Sequence, residues 1–318
     1  MEVSDCVRVL YIGGLGRSGS TLLDRMLDQL DGVHSVGELA HIWQRGLVEN
    51  NRCGCGDRFR DCPFWGGVGA VAFGGWDALD AGEVVALQRS VDRTRYIPLM
   101  CAPGLWPPYR RRLRRYCWLL TRLYRAIHQV SGERVLVDAT KHASHAFLLR
   151  RLPDLDLRVV HLVRDSRGVA FSWTKVKQRA EVVDGEALMA TGHPLRLGGR
   201  WFSHNLLFHL LQATGVPVLR VRYEALVRWP QRQFGRILGH LGRPPAATDL
   251  AFLGDGYVDL SAGHGLAGNP MRFEQGRLPL RLDDAWRRDM RPGHRALTTG
   301  CTWPLLLRYG YLRGSIEH

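Results

Sequence analysis

The chain has 318 residues, a formal net charge of +14, and 45% hydrophobic against 23% charged residues. This is the balance of a folded globular protein, and it excludes a collagen-like chain, a disulfide-stapled miniprotein and a wholly disordered one. No stretch approaches the ~20 apolar residues of a membrane span. Acids precede the first apolar run in MEVSDCVRVLYIGG, which reads as a first strand rather than a signal peptide.

Val7–Ile12 is a short branched apolar run ending in glycines, the pattern of a buried strand. Ser20–Leu30 carries Leu22, Leu23, Met26, Leu27 and Leu30 at helical spacing. Asn50–Pro108, rich in Gly, Trp, Cys and Pro, has no clear period. Arg110–Arg125 holds seven arginines over an apolar stripe and predicts an amphipathic helix. Its basic face is either solvated or a landing surface for an acidic or lipid-bearing molecule. Arg134–Val137 and Leu157–Val163 are further strands, separated by a helix over His142–Leu152 that Pro153 stops. Asp165–Lys177 and Leu195–Ala213 are helical, Val216–Val221 is a strand, and Pro230–Leu241 is a helix. Ala180–Gly199 reads as a lid, and Asp255–Arg281 as loop. Strands alternating with helices predict an α/β, P-loop-like three-layer fold, with a central parallel sheet and helices on both faces. No boundary or repeat divides 1–318, so a single domain is expected, with irregular insertions near 50–108 and 180–199.

Only three of the 44 basic residues are lysines: Lys141, Lys175 and Lys177. A basic chain invites nucleic acid, an anionic membrane or a small polyanion. The arginine bias, with 36 glycines, also fits a GC-rich bacterial genome, so the places that keep lysine are more telling than the ratio. Seven cysteines without a secretion signal predict reduced thiols in a cytoplasmic protein. Cys53, Cys55 and Cys62 cluster. Their spacing is not that of a standard zinc finger; a metal site with His41 as fourth ligand, a disulfide, and packed thiols are all open readings.

The strongest motif is Gly13-Gly14-Leu15-Gly16-Arg17-Ser18-Gly19-Ser20-Thr21, between strand and helix. Such a loop turns backbone N–H groups onto an anion at the positive end of a helix dipole. A Walker A loop would place lysine where Ser20 stands, which argues against nucleotide hydrolysis. Arg164, ending a strand, and Ser172, two turns into the next helix, are placed to converge on one anion at the carboxyl edge of the sheet. Asp165 suits the helix N-cap.

These segments resemble the sulfotransferases that use 3′-phosphoadenosine-5′-phosphosulfate (PAPS). The resemblance implies that Gly16, Arg17, Ser18, Gly19, Ser20 and Thr21 hold the 5′-phosphosulfate and that Arg164 and Ser172 hold the 3′-phosphate. It sets Tyr223 near the adenine and 3′-phosphate. A late basic loop should close over the nucleotide, with Arg272 favoured over Arg277. Ser35-Val36-Gly37-Glu38-Leu39 resembles a segment of tyrosylprotein sulfotransferases that carries the catalytic base, so Glu38 is the candidate base, with His34 and His41 as rivals. Lys141, after a strand at the same edge, would approach the transferring group, where a compact ammonium suits better than a planar fork. Asp138 would orient it or cap the next helix. Lys175 and Lys177 read as solvated.

The implied reaction is in-line transfer of a sulfuryl group from PAPS to a hydroxyl of a small-molecule acceptor, leaving adenosine-3′,5′-bisphosphate (PAP). It requires no metal, since the loop and cationic side chains neutralise the developing charge. The sequence leaves the acceptor open, a secondary metabolite, a glycolipid and a phenol all being candidates; no nucleic-acid signature is present. The alternatives are a P-loop nucleotide kinase or NTPase, and a non-enzymatic polyanion-binding protein.

Overall fold

The computed structural model describes residues 6–174, 193–243 and 247–312. Lys175, Lys177 and most of the predicted lid lie outside the described residues. In chain order the elements are β1 (Val7–Gly13), α1 (Ser20–Leu27), β2 (Val33–Ser35), α2 (Pro63–Phe73), α3 (Ala81–Val91), α4 (Ile97–Cys101) and α5 (Pro107–Ser131). There follow β3 (Val135–Lys141), α6 (Ala143–Leu149), β4 (Leu155–Val163), α7 (Ser166–Ser172), α8 (Pro194–Ala213), β5 (Val218–Arg222), α9 (Tyr223–Arg228) and α10 (Pro230–His240). The chain then forms β6 (Tyr257–Leu260), β7 (Gly276–Pro279), α11 (Trp286–Asp289) and α12 (Pro292–Arg308).

The main sheet has the order β2-β3-β1-β4-β5, with every pairing parallel. β1 is apolar on both faces because both are covered. Val9 and Tyr11 join one core with α5, α6 and part of α8. Leu10 and Ile12 join the other, with Leu23, Met26 and Leu27 of α1 and Phe234 and Ile237 of α10. This is the layered α/β fold that the strand–helix alternation implies.

Asn50–Pro108 is more regular than its composition suggests. It contains α2, α3 and α4, whose Trp65, Val68, Val84 and Val85 pack on Tyr116, Leu120 and Leu123 of α5. The arginine-rich segment is a core-facing helix. Tyr109, Leu113, Tyr116 and Leu120 are buried, while Arg110, Arg111, Arg114 and Arg115 lie exposed. The predicted loop 255–281 contains the antiparallel pair β6–β7. Between them, residues 261–275 form a strap across the carboxyl end of the sheet.

The chain reverses its direction of travel across the sheet at β1, between β3 and β4. Open α/β sheets bind ligands at that crevice. The crevice needs glycine at its floor: Gly14 has φ +139°, and a Cβ there would lie 2.3 Å from the Leu162 carbonyl oxygen. Gly14→Ala is therefore expected to lower stability by about 2 kcal/mol, measured by denaturant unfolding.

Candidate active site

Four carboxyl-end segments meet around a cleft of about 1110 Å³. This exceeds the ~300–1,000 Å³ of one small-ligand pocket, so it has room for a nucleotide and a second molecule. Its lining includes Gly16, Arg17, Gly19, Ser20, Thr21, Glu38, Lys141, Arg164, Ser172 and Tyr223. Ser18 is buried and does not line it.

The loop after β1 enters α1 through Gly19 (φ +88°), which has no side chain to cap the helix start. Its first-turn N–H groups are thus open to an anion. A Cβ at Gly19 would strike the Tyr223 ring at 2.5 Å, so loop and tyrosine pack as one wall. Arg17 adopts φ +72° and leans over the Trp173 ring at 5.7 Å. Its Nη1 and Nη2 are buried and have no hydrogen-bond partner among the described residues. A buried guanidinium fork left unpaired is costly, and an oxyanion is its natural complement.

Across the cleft, Arg164 stacks on Tyr223 at 4.6 Å. Its Nη1 donates to the Arg17 carbonyl at 3.0 Å, which couples the two cationic corners. Its Nη2 donates to the Asp283 backbone carbonyl at 2.6 Å and lies 3.0 Å from the Asp283 carboxylate. Asp165 caps α7, accepting from the Arg167 amide at 2.9 Å.

Glu38 and Lys141 meet as a buried ion pair, Nζ on Oε1. Lys141 ends β3 in a left-handed conformation, φ +72°, a strained geometry for a lysine and one that recurs at functional sites. Its carbonyl and that of Gly14 share one donor, the half-buried His204 Nε2, at 3.0 and 3.1 Å. His204 of α8 thereby ties the glycine-rich loop after β1 to the end of β3. Burial lowers its pKa and favours the neutral ring. Nothing in the local sequence marks His204, since the atoms that it joins lie far away along the chain.

The backbone around Glu38 is held by three hydrogen bonds, from the strap and from β3. The Glu38 amide donates to the Leu266 carbonyl at 2.7 Å. The Gly37 carbonyl accepts from the Ala139 amide at 2.7 Å, and the Ala40 amide donates to Thr140 Oγ1 at 3.0 Å. His41 Nε2 lies 3.3 Å from Glu38 Oε2. Burial works against the charge of Glu38, but Lys141 and His41 outweigh it and hold the carboxyl below its ordinary pKa. Of the rival bases, His41 touches the carboxylate, while His34 packs on Phe64, 4.6 Å between ring centroids, and lies 6.2 Å from the His264 ring. Asp138 binds the Tyr124 hydroxyl at 2.5 Å and the Thr140 amide at 2.8 Å, and so serves the core rather than Lys141.

The strap closes this side of the cleft through Gly268, Asn269, Met271 and Glu274. Arg272 turns its guanidinium the other way, onto the carbonyls of Gly265 at 2.6 Å and Arg52 at 2.7 Å. Arg277 lies on the exposed β7 strand, near Asp259.

The Glu38 geometry predicts a titration. In Lys141→Met the carboxyl loses its ammonium and keeps its burial, so its pKa rises; NMR of the labelled carboxyl carbon measures the shift. In the native chain, the depressed pKa contributes stability above the unfolded carboxylate pKa, and that stability is lost as pH falls through the folded value.

Residues 9–251 match the family described as sulfotransferase domain. No curated protein sequence matches the chain. Among solved structures, the sulfotransferase domain of the curacin biosynthetic pathway is 16% identical, with 95% of this chain and 98% of that one covered and a TM-score of 0.50. The sulfotransferase domain of the Synechococcus PCC 7002 olefin synthase is 20% identical over 96% of both chains, with a TM-score of 0.48. No helix among the described residues is long and apolar enough to cross a membrane. The chain belongs to the sulfotransferase domain family, and its reaction is PAPS-dependent sulfuryl transfer.

Proposed function

We propose that Arg17 and the loop Gly16–Thr21 seat the 5′-phosphosulfate, that Arg164 and Ser172 hold the 3′-phosphate, and that Tyr223 flanks them. Glu38 takes the proton of an acceptor hydroxyl, and Lys141 neutralises charge at the transferring group. The acceptor O–S bond forms as the S–O bond to the 5′-phosphate breaks, and PAP leaves with the electron pair. The acceptor is a small molecule entering beside His142 and Arg200; a phenol, a glycolipid and a secondary metabolite all fit that chemistry.

The observation that carries the reading is the shared cleft. It joins a buried Arg17 fork, unpaired among the described residues, to a Lys141–Glu38 pair. A carboxylate locked to an ammonium is a weak base. Transfer of Lys141 to the arriving sulfuryl oxygens would free Glu38 for the acceptor proton, so that the base is activated only with the donor in place. Arg272, spent on backbone carbonyls, supports the nucleotide through the strap that it anchors. Asp283 occupies Arg164 as an internal anion that a 3′-phosphate would replace.

Calorimetric titration tests the nucleotide assignment. PAP is expected to bind about tenfold or more tighter than ATP with Mg²⁺, and Arg17→Ala to weaken PAP by a similar factor. Tighter ATP binding would point to the kinase reading. Asp283→Asn is expected to tighten PAP about five- to tenfold by removing the competing carboxylate; unchanged affinity would show that Asp283 does not compete.

A further inference from the structure

The three clustered cysteines are joined by a residue that no local pattern announces. His264, 202 positions beyond Cys62, brings Nδ1 to 3.4 Å from the Cys62 sulfur and 3.7 Å from that of Cys53. Cys62 Sγ lies 3.7 Å from Cys55 Sγ and 3.8 Å from Cys53 Sγ. All four donor atoms fall within 4.8 Å of one another. His41, the fourth ligand that the sequence offered, lies instead on Glu38.

These separations have a simple geometric meaning. A tetrahedral zinc site with Zn–S bonds of ~2.3 Å and a Zn–N bond of ~2.0 Å has S···S edges of about 3.8 Å and S···N edges of about 3.6 Å. The four edges given above lie close to those lengths. A disulfide would join only two of the sulfurs, at ~2.05 Å, and leave the third thiol and the imidazole without purpose. Here Cys62 is shared among three neighbours at near-equal distance.

The backbone is built around the four donors. The Cys53 amide donates to the Asp57 carbonyl at 2.8 Å, and the Gly56 amide to the Cys53 carbonyl at 3.0 Å, which folds Cys53–Gly-Cys55 into a tight knuckle. The His264 ring stacks on Phe64, 4.8 Å and 14° apart, and its carbonyl accepts from Trp65 Nε1 at 3.0 Å. Ring and backbone of His264 are therefore both held in place.

We propose that Cys53, Cys55, Cys62 and His264 bind one structural zinc ion, which locks the strap 261–275 to the cysteine knuckle. Three thiolates and an imidazole form a soft donor set suited to zinc, and with four protein ligands the site is closed, as structural sites are. The lock lies beside the candidate base. The Gly54 amide donates to the Gly265 carbonyl at 3.1 Å, and Leu266 exchanges hydrogen bonds with Val36 and Glu38. A Cβ on Gly268 would approach Glu38 Oε1 to 3.1 Å. The ion would thus fix the strap segment that covers Glu38, without touching the substrates.

The test uses the full chain, purified without chelator from zinc-supplemented cells. Elemental analysis is expected to find about one zinc per chain. Cys55→Ser and His264→Gln should lose it, and His264→Cys, which supplies a fourth thiolate, should regain it. Cys6→Ser with Cys101→Ser and Cys301→Ser, at exposed positions, should keep it and control for general thiol effects. Cobalt(II) in place of zinc should give a thiolate-to-metal charge-transfer band and tetrahedral ligand-field absorption. Absence of bound metal after zinc or cobalt addition, iron or copper in place of zinc, a disulfide between two of the three cysteines, or zinc retained in both ligand variants would each overturn the assignment. Removal of the ion should speed hydrogen exchange at the Gly54, Leu266 and Glu38 amides; unchanged protection there would overturn the locking role. None of these readouts depends on sulfuryl transfer, so the zinc assignment and the catalytic assignment fail separately.

Discussion

The site depends on one buried pair of opposite charges, Lys141 against Glu38, at the carboxyl end of the sheet. Breaking such a pair from one side costs about 3–5 kcal/mol, because the survivor is left charged and dry. The fold accepts that exposure to risk at an exact register. β3 delivers Lys141 in a strained left-handed turn, and β2 leads into Gly37-Glu38 beside it. His204 then ties the Lys141 carbonyl to the glycine-rich loop after β1. Movement of any one of β1, β3 or α8 would therefore be felt by all three.

The opposite wall is set by the strap, which α1 and the cysteine segment hold from two directions. Arg25 of α1 donates to the carbonyls of Ser261, Met271, Arg272 and Glu274. Arg272 reaches from the strap to Arg52, next to Cys53. Guanidiniums that donate to several carbonyls at once are strong, directional staples. Two of the arginines that contribute to the large positive charge are thus structural, while Arg17 and Arg164, proposed to meet the two anionic ends of the nucleotide, line the cleft together with Arg45, Arg93, Arg200 and Arg281.

Much of this was legible in the sequence, for identifiable reasons. The loop proposed to hold the phosphosulfate is a contiguous motif whose donors lie in its own backbone, so Gly14, Arg17 and Gly19 can be read as candidates directly. Lys141 stood out as a scarce lysine at a strand end. Arg272 shows the limit: the loop that carries it does line the cleft, but the direction of its side chain follows from carbonyls contributed by Arg52 and Gly265, which sequence order does not place. His204, His264 and Asp283 were missed for the same reason, each acting on partners distant in the chain. The helices of 50–108 were hidden by glycines and tryptophans that mask helical period, although Trp65 and Trp76 turn out to be core residues.

Glu38→Gln is the sharpest probe of the proposed base, because it removes the proton acceptor and keeps the shape. Transfer of radiolabelled sulfate from PAPS to a panel of phenols and hydroxylated lipids would be followed beside PAP binding. Turnover is expected to fall by about 10²–10⁴-fold while PAP affinity is kept. Full turnover in Glu38→Gln would contradict that role and remove the buried pair from the chemistry.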